Sequence, residues 1–430
     1  MIYLLYDLIL YVAALFLVPY YLFRGLRYGK SRRGVRERLG MYAQDFRQSL
    51  QGRRVIWVHA VSVGETRAAI PLIKEMRERY PDALLLLSNV TETGREIAVG
   101  VSEIDYYIFF PFDLRWIVRK ALKLISPELI ILVETEIWPN FVLEAKKLKI
   151  PVILVNGRIS DRSFPRYRWA RELFFPVLDS VTEYCMQSER DARRIRHLGA
   201  AAGRVQVTGN LKFDMQPPKV EANLEHLRSE LKLPEQGLVW VAGSTHDGEE
   251  KLLVSVYLQL RKKCRDLFLI LVPRHPERCR QVQDELGKLE VSATLRSSLW
   301  LREKSLQHGE VMIVDTLGEM LKFYALADLV FVGGSLVNIG GHNILEAALL
   351  KKPVLYGPHM QNFKEIARLV REAHAGLQVK NSEDLLQQMR ILIENPQEAS
   401  RIGENGYHLF EENRGATQRT LAVIDRRLLP

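Results

Sequence analysis

The chain has 430 residues, 47% apolar and 26% charged, with a formal net charge of +10. That length exceeds what one hydrophobic core usually holds, so two domains are expected, and the apolar fraction is that of a globular protein. Three cysteines, Cys185, Cys264 and Cys279, have no metal-ligand spacing; their odd number argues against a disulfide framework and fits a reducing compartment.

The first expected element is an apolar run from Ile2 to Phe23, interrupted only by Asp7 and long enough to span a bilayer. Met1 leads straight into it, so the positive start of a signal peptide is missing. Basic residues follow instead: Arg24, Arg27, Lys30, Arg32, Arg33, Arg36 and Arg38. The run therefore reads as a membrane anchor over residues 1–24, with the body of the protein on the cytoplasmic side. Asp7 keeps a second reading open, an amphipathic hairpin lying on the inner leaflet. The positive charge admits nucleic acid or anionic lipid as a partner. Interleaved aromatic and basic residues that would favour RNA are not evident, and beside an anchor the lipid surface is the better partner.

Four short apolar runs follow, each ending in polar residues. Val55–Val58 leads to Ser62-Val63-Gly64-Glu65, and Leu84–Leu87 leads to Ser88-Asn89. Leu129–Val133 leads to Glu134-Thr135-Glu136, and Val152–Val155 leads to Asn156-Gly157-Arg158. Helical patterns separate them, as buried parallel strands alternating with helices require. The second half repeats the arrangement with Leu238–Val241, Leu267–Val272, Val311–Val314 and Leu329–Val332. Two doubly wound α/β domains facing each other across a cleft are expected, over residues 25–215 and 216–400. The joint falls near Met215-Gln216-Pro217-Pro218, and residues 401–430 read as a C-terminal helix.

In open α/β sheets ligands bind beyond the carboxyl ends of the strands, where these polar clusters sit. Glu65 stands at the start of a helix after a small turn. There it serves either as an ordinary helix-start carboxylate or as a base, and Gly64 before it leaves space for a ligand. Glu134 and Glu136 would point to one side if their strand continued, and buried carboxylates so placed need cations or a wet site. A paired-carboxylate glycosidase is one such reading, without other support. Gly333-Gly334 and Gly340-Gly341 flank one turn, and the second pair is expected to open a helix whose N–H groups hold phosphate. Asn343 with Glu346 also fits a capping box, with Glu346 in a dual role that also accepts hydrogen bonds from a ribose diol. Arg274-His275, between Pro273 and Pro276, offers either a phosphate contact or an ion pair at a domain edge. No metal-ligand spacing and no nucleophile elbow appear in the sequence.

Six segments occur in order: Ser62–Thr66, Glu134–Asn140, Gly209–Asp214, Ser244–Glu250, Leu271–Arg278 and Gly340–Asn343. Together they resemble the 3-deoxy-D-manno-octulosonic acid (Kdo) transferases of lipopolysaccharide synthesis, over nearly the whole chain. The resemblance implies a GT-B fold of two Rossmann-like domains, with the acceptor mainly on the first and the donor nucleotide mainly on the second. It implies inverting transfer of Kdo from CMP-Kdo to a tetra-acylated, phosphorylated lipid A precursor at the inner membrane, without a metal or other cofactor. By the same resemblance Glu65 is the general base, while Glu134 and Lys212 stabilise the transition state. Pro273, Arg274, the Gly318-Glu319-Met320 turn and Asn343-Ile344-Leu345-Glu346 form the CMP site. Ser62, Gly64 and Arg158 are placed near the acceptor, and Arg158, Arg162, Arg166 and Arg168 suit its phosphates. Two competing readings are another GT-B enzyme using a UDP-sugar and a non-catalytic scaffold on anionic membrane.

Overall fold

The computed structural model describes residues 3, 6–13, 15, 32–161, 163–217, 224–234, 236–301 and 305–428. Two units emerge: residues 1–215 with 413–430, and residues 216–412.

In the first unit the β-branched and leucine-rich runs form β1 (Val55–His59), β2 (Leu84–Asn89), β3 (Tyr106–Phe109), β4 (Leu129–Val133), β5 (Val152–Gly157), β6 (Glu183–Met186) and β7 (Val205–Val207). They pair in parallel in the order β3-β2-β1-β4-β5-β6-β7. Side chains alternate across the sheet. Trp57, Leu86 and Ile130 enter one core with Phe141, and Ile56, Val58, Leu85 and Ile131 enter the other with Ile73. Both faces are covered, which is why each central strand reads as a continuous apolar run.

The second unit repeats this with β8 (Leu238–Thr245), β9 (Leu267–Pro273), β10 (Ala293–Leu295), β11 (Val311–Ile313), β12 (Leu329–Val332), β13 (Val354–Tyr356) and β14 (Leu377–Gln378). The order is β10-β11-β9-β8-β12-β13-β14, again parallel. In each sheet the first strand lies between its successor and a strand reached later. The order in which strands are added therefore reverses between β1 and β4, and between β8 and β12. Those two crevices, at the carboxyl ends, are where such sheets take ligands.

The C-terminal expectation is corrected. Residues 401–430 are not one helix: Pro396–Glu412 belongs to the second unit, and Ala416–Leu428 returns to the first. Gly415, at φ 90°, breaks the helix, and its N–H donates to the Asp214 carboxylate at 2.7 Å. Asp214 also accepts from the Thr417 N–H and so caps the last helix, which buries Leu421 and Ile424 in the first unit's core.

Most of the Ile2–Phe23 run lies outside the described residues. Among the described residues no helix is long and apolar enough to cross a membrane. Residues 6–13 are helical. Asp7 is buried against the first unit, accepting from Asn140 Nδ2 at 2.7 Å and pairing with Arg115 at 3.3 Å. Tyr6 donates to the Asp113 carboxylate at 2.9 Å. The residue that interrupts the apolar run is thus the one that fastens it, while Leu8, Ile9, Val12 and Leu15 are at least half exposed.

Candidate active site

At the β1 end, Ser62 caps the helix Val63–Arg79 and its hydroxyl donates to Glu65 Oε1 at 3.0 Å. Glu65 Oε2 accepts the Val61 N–H at 2.6 Å. This is close to a capping box, with the carboxylate folded back over the turn. Asn89, at the end of β2, steadies that turn by donating to the Ala60 carbonyl at 2.7 Å and to Thr66 Oγ1 at 2.9 Å. A Cβ added at Gly64 would meet only Ser62 Oγ, at 3.9 Å, so the glycine leaves room that the fold does not use. Glu65 is 9% exposed. Burial pushes its carboxyl up to about 7; the Glu134 and Glu136 charges act the same way, against the Val61 N–H and the Ser62 hydroxyl. A carboxyl titrating there is poised to take a proton near neutrality.

Across the switch point, at the end of β4, Glu134 takes a left-handed conformation, φ 60°. The strand does not continue, so Glu134 and Glu136 are not the same-side pair that their spacing suggests. Glu134 instead accepts from Lys212 Nζ at 3.0 Å and pairs with Arg158 Nε at 3.4 Å. Burial opposes its ionisation, but Lys212 and Arg158 outweigh burial and hold its carboxyl below the ordinary range. Glu136 is pushed the other way, first by burial and then by Glu134. Lys212 rides a short turn, Leu211–Asp214, fixed where the Leu211 N–H donates to Asn156 Oδ1 at 3.0 Å. Arg166 and Arg168 are exposed on the helix Ser163–Trp169, and Arg162 lies outside the described residues.

In the second unit, Pro273 ends β9 and the Arg274 N–H donates to the Thr245 carbonyl at 3.0 Å. Gly318 has φ 84° in open space, while Glu319 accepts from the Thr316 hydroxyl and pairs with Arg296 at 3.5 Å. Met320 begins the helix Met320–Leu326. The expectation that the second glycine pair opens a helix is corrected. Gly340 and Gly341 have φ of 113° and 73°, which no right-handed helix admits, and the helix starts at Leu345 after Ile344. Asn343 Oδ1 accepts the Leu345 N–H at 3.3 Å, and its Nδ2 donates to Glu346 at 3.5 Å, an Asx turn rather than the expected box.

Two features went unassigned in the sequence. Glu249, fully buried, accepts four backbone N–H groups: His246 at 3.0 Å, Gly334 at 2.6 Å, Ser335 at 3.0 Å and Leu336 at 2.9 Å. It stitches the β8 end to the β12 end. His246 and His342 meet through their Nε2 atoms at 2.8 Å. The signal for Glu249 was the Ser244–Glu250 segment, whose Gly-Glu at a helix start repeats the pattern at Gly64-Glu65; the pairing of His246 with His342 had none. Glu249→Ala strands those four donors and is expected to destabilise the second unit by at least ~3 kcal/mol. Glu249→Gln, which keeps an acceptor oxygen, is expected to lose less. Thermal denaturation, with amide exchange at residues 333–336, checks both.

A family model described as 3-deoxy-D-manno-octulosonic-acid transferase (kdotransferase) matches residues 33–215. The 3-deoxy-D-manno-octulosonic acid transferase of Haemophilus influenzae is 34% identical over 91% of this chain and 91% of its own length. The chain belongs to that family. The enzyme of the same name from Rickettsia bellii is 32% identical over 97% of this chain and 98% of its own. Membership makes the protein a glycosyltransferase. Among solved structures, UDP-GlcNAc 2-epimerase from Neisseria meningitidis bound to UDP-GlcNAc superposes with a TM-score of 0.59 at 17% identity, covering 87% of this chain and 99% of that one. At that identity the likeness bears on the fold alone, a GT-B-like pair of parallel sheets. Family membership leaves the roles of individual residues to the geometry at the two switch points.

Proposed function

We propose that this protein transfers Kdo from CMP-Kdo to the tetra-acylated, phosphorylated precursor of lipid A at the cytoplasmic face of the inner membrane. The observation that carries the reading is Glu65, a buried carboxyl titrating about 7 beside open space at Gly64, at a switch point. Glu65 accepts the proton of the acceptor hydroxyl as that oxygen bonds to the anomeric carbon of Kdo. The bond from that carbon to the phosphate breaks, its electrons leave with CMP, and the configuration inverts. The Lys212–Glu134–Arg158 cluster sets the charge beside the base. In the second unit Arg274 meets the phosphate, and Gly318-Glu319-Met320 with the Asn343–Glu346 turn holds the nucleoside. Arg274 supplies positive charge to the leaving group, and the scheme takes no metal there.

The acceptor's phosphates suit Arg166 and Arg168, exposed on the helix Ser163–Trp169. The exposed apolar side chains of Leu8, Ile9, Val12 and Leu15 suit the lipid surface. The contacts of Asp7 favour a segment lying along the membrane over one leaving the protein to cross it.

The test is product mass spectrometry with CMP-Kdo and the tetra-acylated precursor, alongside thermal shifts with CMP and UDP. A Kdo adduct and stronger stabilisation by CMP are expected. Stronger stabilisation by UDP would point to a UDP-sugar enzyme, and no nucleotide effect with no product would point to a scaffold. Arg274→Ala is expected to weaken CMP affinity at least tenfold, about 1.4 kcal/mol, with acceptor affinity little changed.

A further inference from the structure

The scheme above leaves a cluster of imidazoles unused at the second unit's switch point. His246 follows β8, His275 follows β9, and His342 stands on the loop after β12. His246 and His342 are joined Nε2 to Nε2 at 2.8 Å, with ring planes within 4°. His275 meets His246 edge-on, with ring centroids 5.8 Å apart. The pair is built in. The His246 backbone N–H donates to Glu249, and Gly334, at φ 65°, leaves little room for a side chain there. A Cβ at Gly334 would lie 3.0 Å from His342 Cδ2 and 3.2 Å from His246 Cδ2.

We infer that His246 and His342 are a one-proton store for the leaving phosphate, neutral in the empty site and taking up a single proton when an anionic phosphate settles beside Arg274 and His275. This rests on the donor reading above.

The limit of one follows from the geometry. A neutral pair has two protons on four ring nitrogens, one of them lying between the facing Nε2 atoms. A third proton goes to an Nδ1 and leaves that link intact. A fourth would set two N–H groups against each other and break it. The surroundings explain why the pair is neutral without a ligand. Arg274 and His275 from the β9 end and Arg278 from the next turn bear on it, and Arg278 is itself paired with Asp247 at 3.0 Å and Glu250 at 3.1 Å. Glu249 spends its carboxylate on backbone N–H groups, and His359 lies in the loop packed against Gly341. Burial, followed by His275, Arg274 and Arg278, lowers His246 to about 4. Burial, followed by His246, Arg274 and His275, lowers His342 to about 3. A phosphate beside the pair offsets the Arg274 and Arg278 charges and favours the protonated form against burial. Departure of CMP turns a singly charged phosphodiester into a doubly charged monoester, and one proton on the pair matches that added charge. An interaction that strengthens as the bond breaks favours the transition state over the bound substrate.

The experiment is calorimetric titration of the full-length protein with CMP, in phosphate-free buffers of different ionisation enthalpy, with cytidine as the uncharged control. At about pH 7.5 the CMP phosphate is already largely dianionic, so proton uptake reports the protein. A measurable fraction of a proton, never above one, is expected per CMP bound, with none for cytidine. His246→Gln and His342→Gln are each expected to cut the uptake at least threefold while CMP still binds. A CMP enthalpy identical in all buffers for the unsubstituted protein overturns the inference and leaves the donor reading standing. So does uptake that persists in both variants. CMP that does not bind at all overturns both.

Discussion

Glu65→Gln is expected to lower turnover by a factor of about 10²–10⁴ with folding intact, the range for removal of a positioned general base. Glutamine keeps an oxygen for the Val61 N–H and so spares most of the cap at the start of Val63–Arg79. Glu65→Ala removes the carboxylate and its bonds to the Val61 N–H and the Ser62 hydroxyl, at about 1 kcal/mol of stability, while Ser62 still caps the helix. Circular dichroism and CMP binding separate the two effects: both variants should bind CMP as the unsubstituted protein does. Turnover within a few-fold of normal in Glu65→Gln would remove Glu65 from the chemistry and leave it a helix cap.

The pH dependence follows from the same carboxyl. A base works ionised, so kcat/KM should fall about tenfold per pH unit below about 7 and level off above it. Stability runs the opposite way. The folded value of about 7 lies above the ordinary 4.5, so folding favours the protonated form. That contribution is complete below the unfolded value and is lost as pH rises through the folded one. Glu65→Gln, which cannot ionise, should therefore gain stability relative to the unsubstituted protein between pH 5 and pH 8, by on the order of 2–3 kcal/mol. Urea denaturation at the two pH values measures it. An equal difference at both would show that Glu65 titrates normally.

The central strands were legible because they are buried on both faces. Val55–Val58, Leu84–Leu87, Leu129–Val133 and Val152–Val155 are apolar without alternation, and all four are strands in the middle of their sheet. β3, β6, β7, β10, β13 and β14 are two to four residues long and sit toward the edges, too short to stand out as apolar runs. Glu65 was legible for a local reason, a carboxylate on a turn directly after a buried strand. Glu134 was legible as a carboxylate but not in its geometry, because a left-handed non-glycine residue has no sequence signature. Its partner Lys212 lies 78 positions away, and His342 lies 96 positions from His246. Pairings over such separations are set by strand order, which a single sequence leaves open.

The pairing of Lys212 with Glu134 gives the second large effect. Lys212→Met keeps the apolar stem and removes the ammonium, leaving Glu134 to Arg158 alone at 3.4 Å, with the Arg158 side chain 38% exposed. A buried charge deprived of its nearer partner costs about 3 kcal/mol, which calorimetry would read as several degrees of melting temperature. Adding Glu134→Gln removes the stranded charge, so the double variant should recover most of that stability while transfer stays lost. Full additivity of the two single losses would mean that the residues do not interact in solution. The cycle also reports on the base, because Glu134 is one of the charges that raise Glu65. In Glu134→Gln the acid limb of the residual kcat/KM profile should move below pH 7, toward the ordinary carboxyl range. In Lys212→Met it should move the same way only if the stranded Glu134 becomes protonated; if Glu134 stays ionised, the limb remains in place. The direction of that limb, read beside the stability cycle, distinguishes a lysine that keeps Glu134 charged from one whose loss leaves Glu134 ionised.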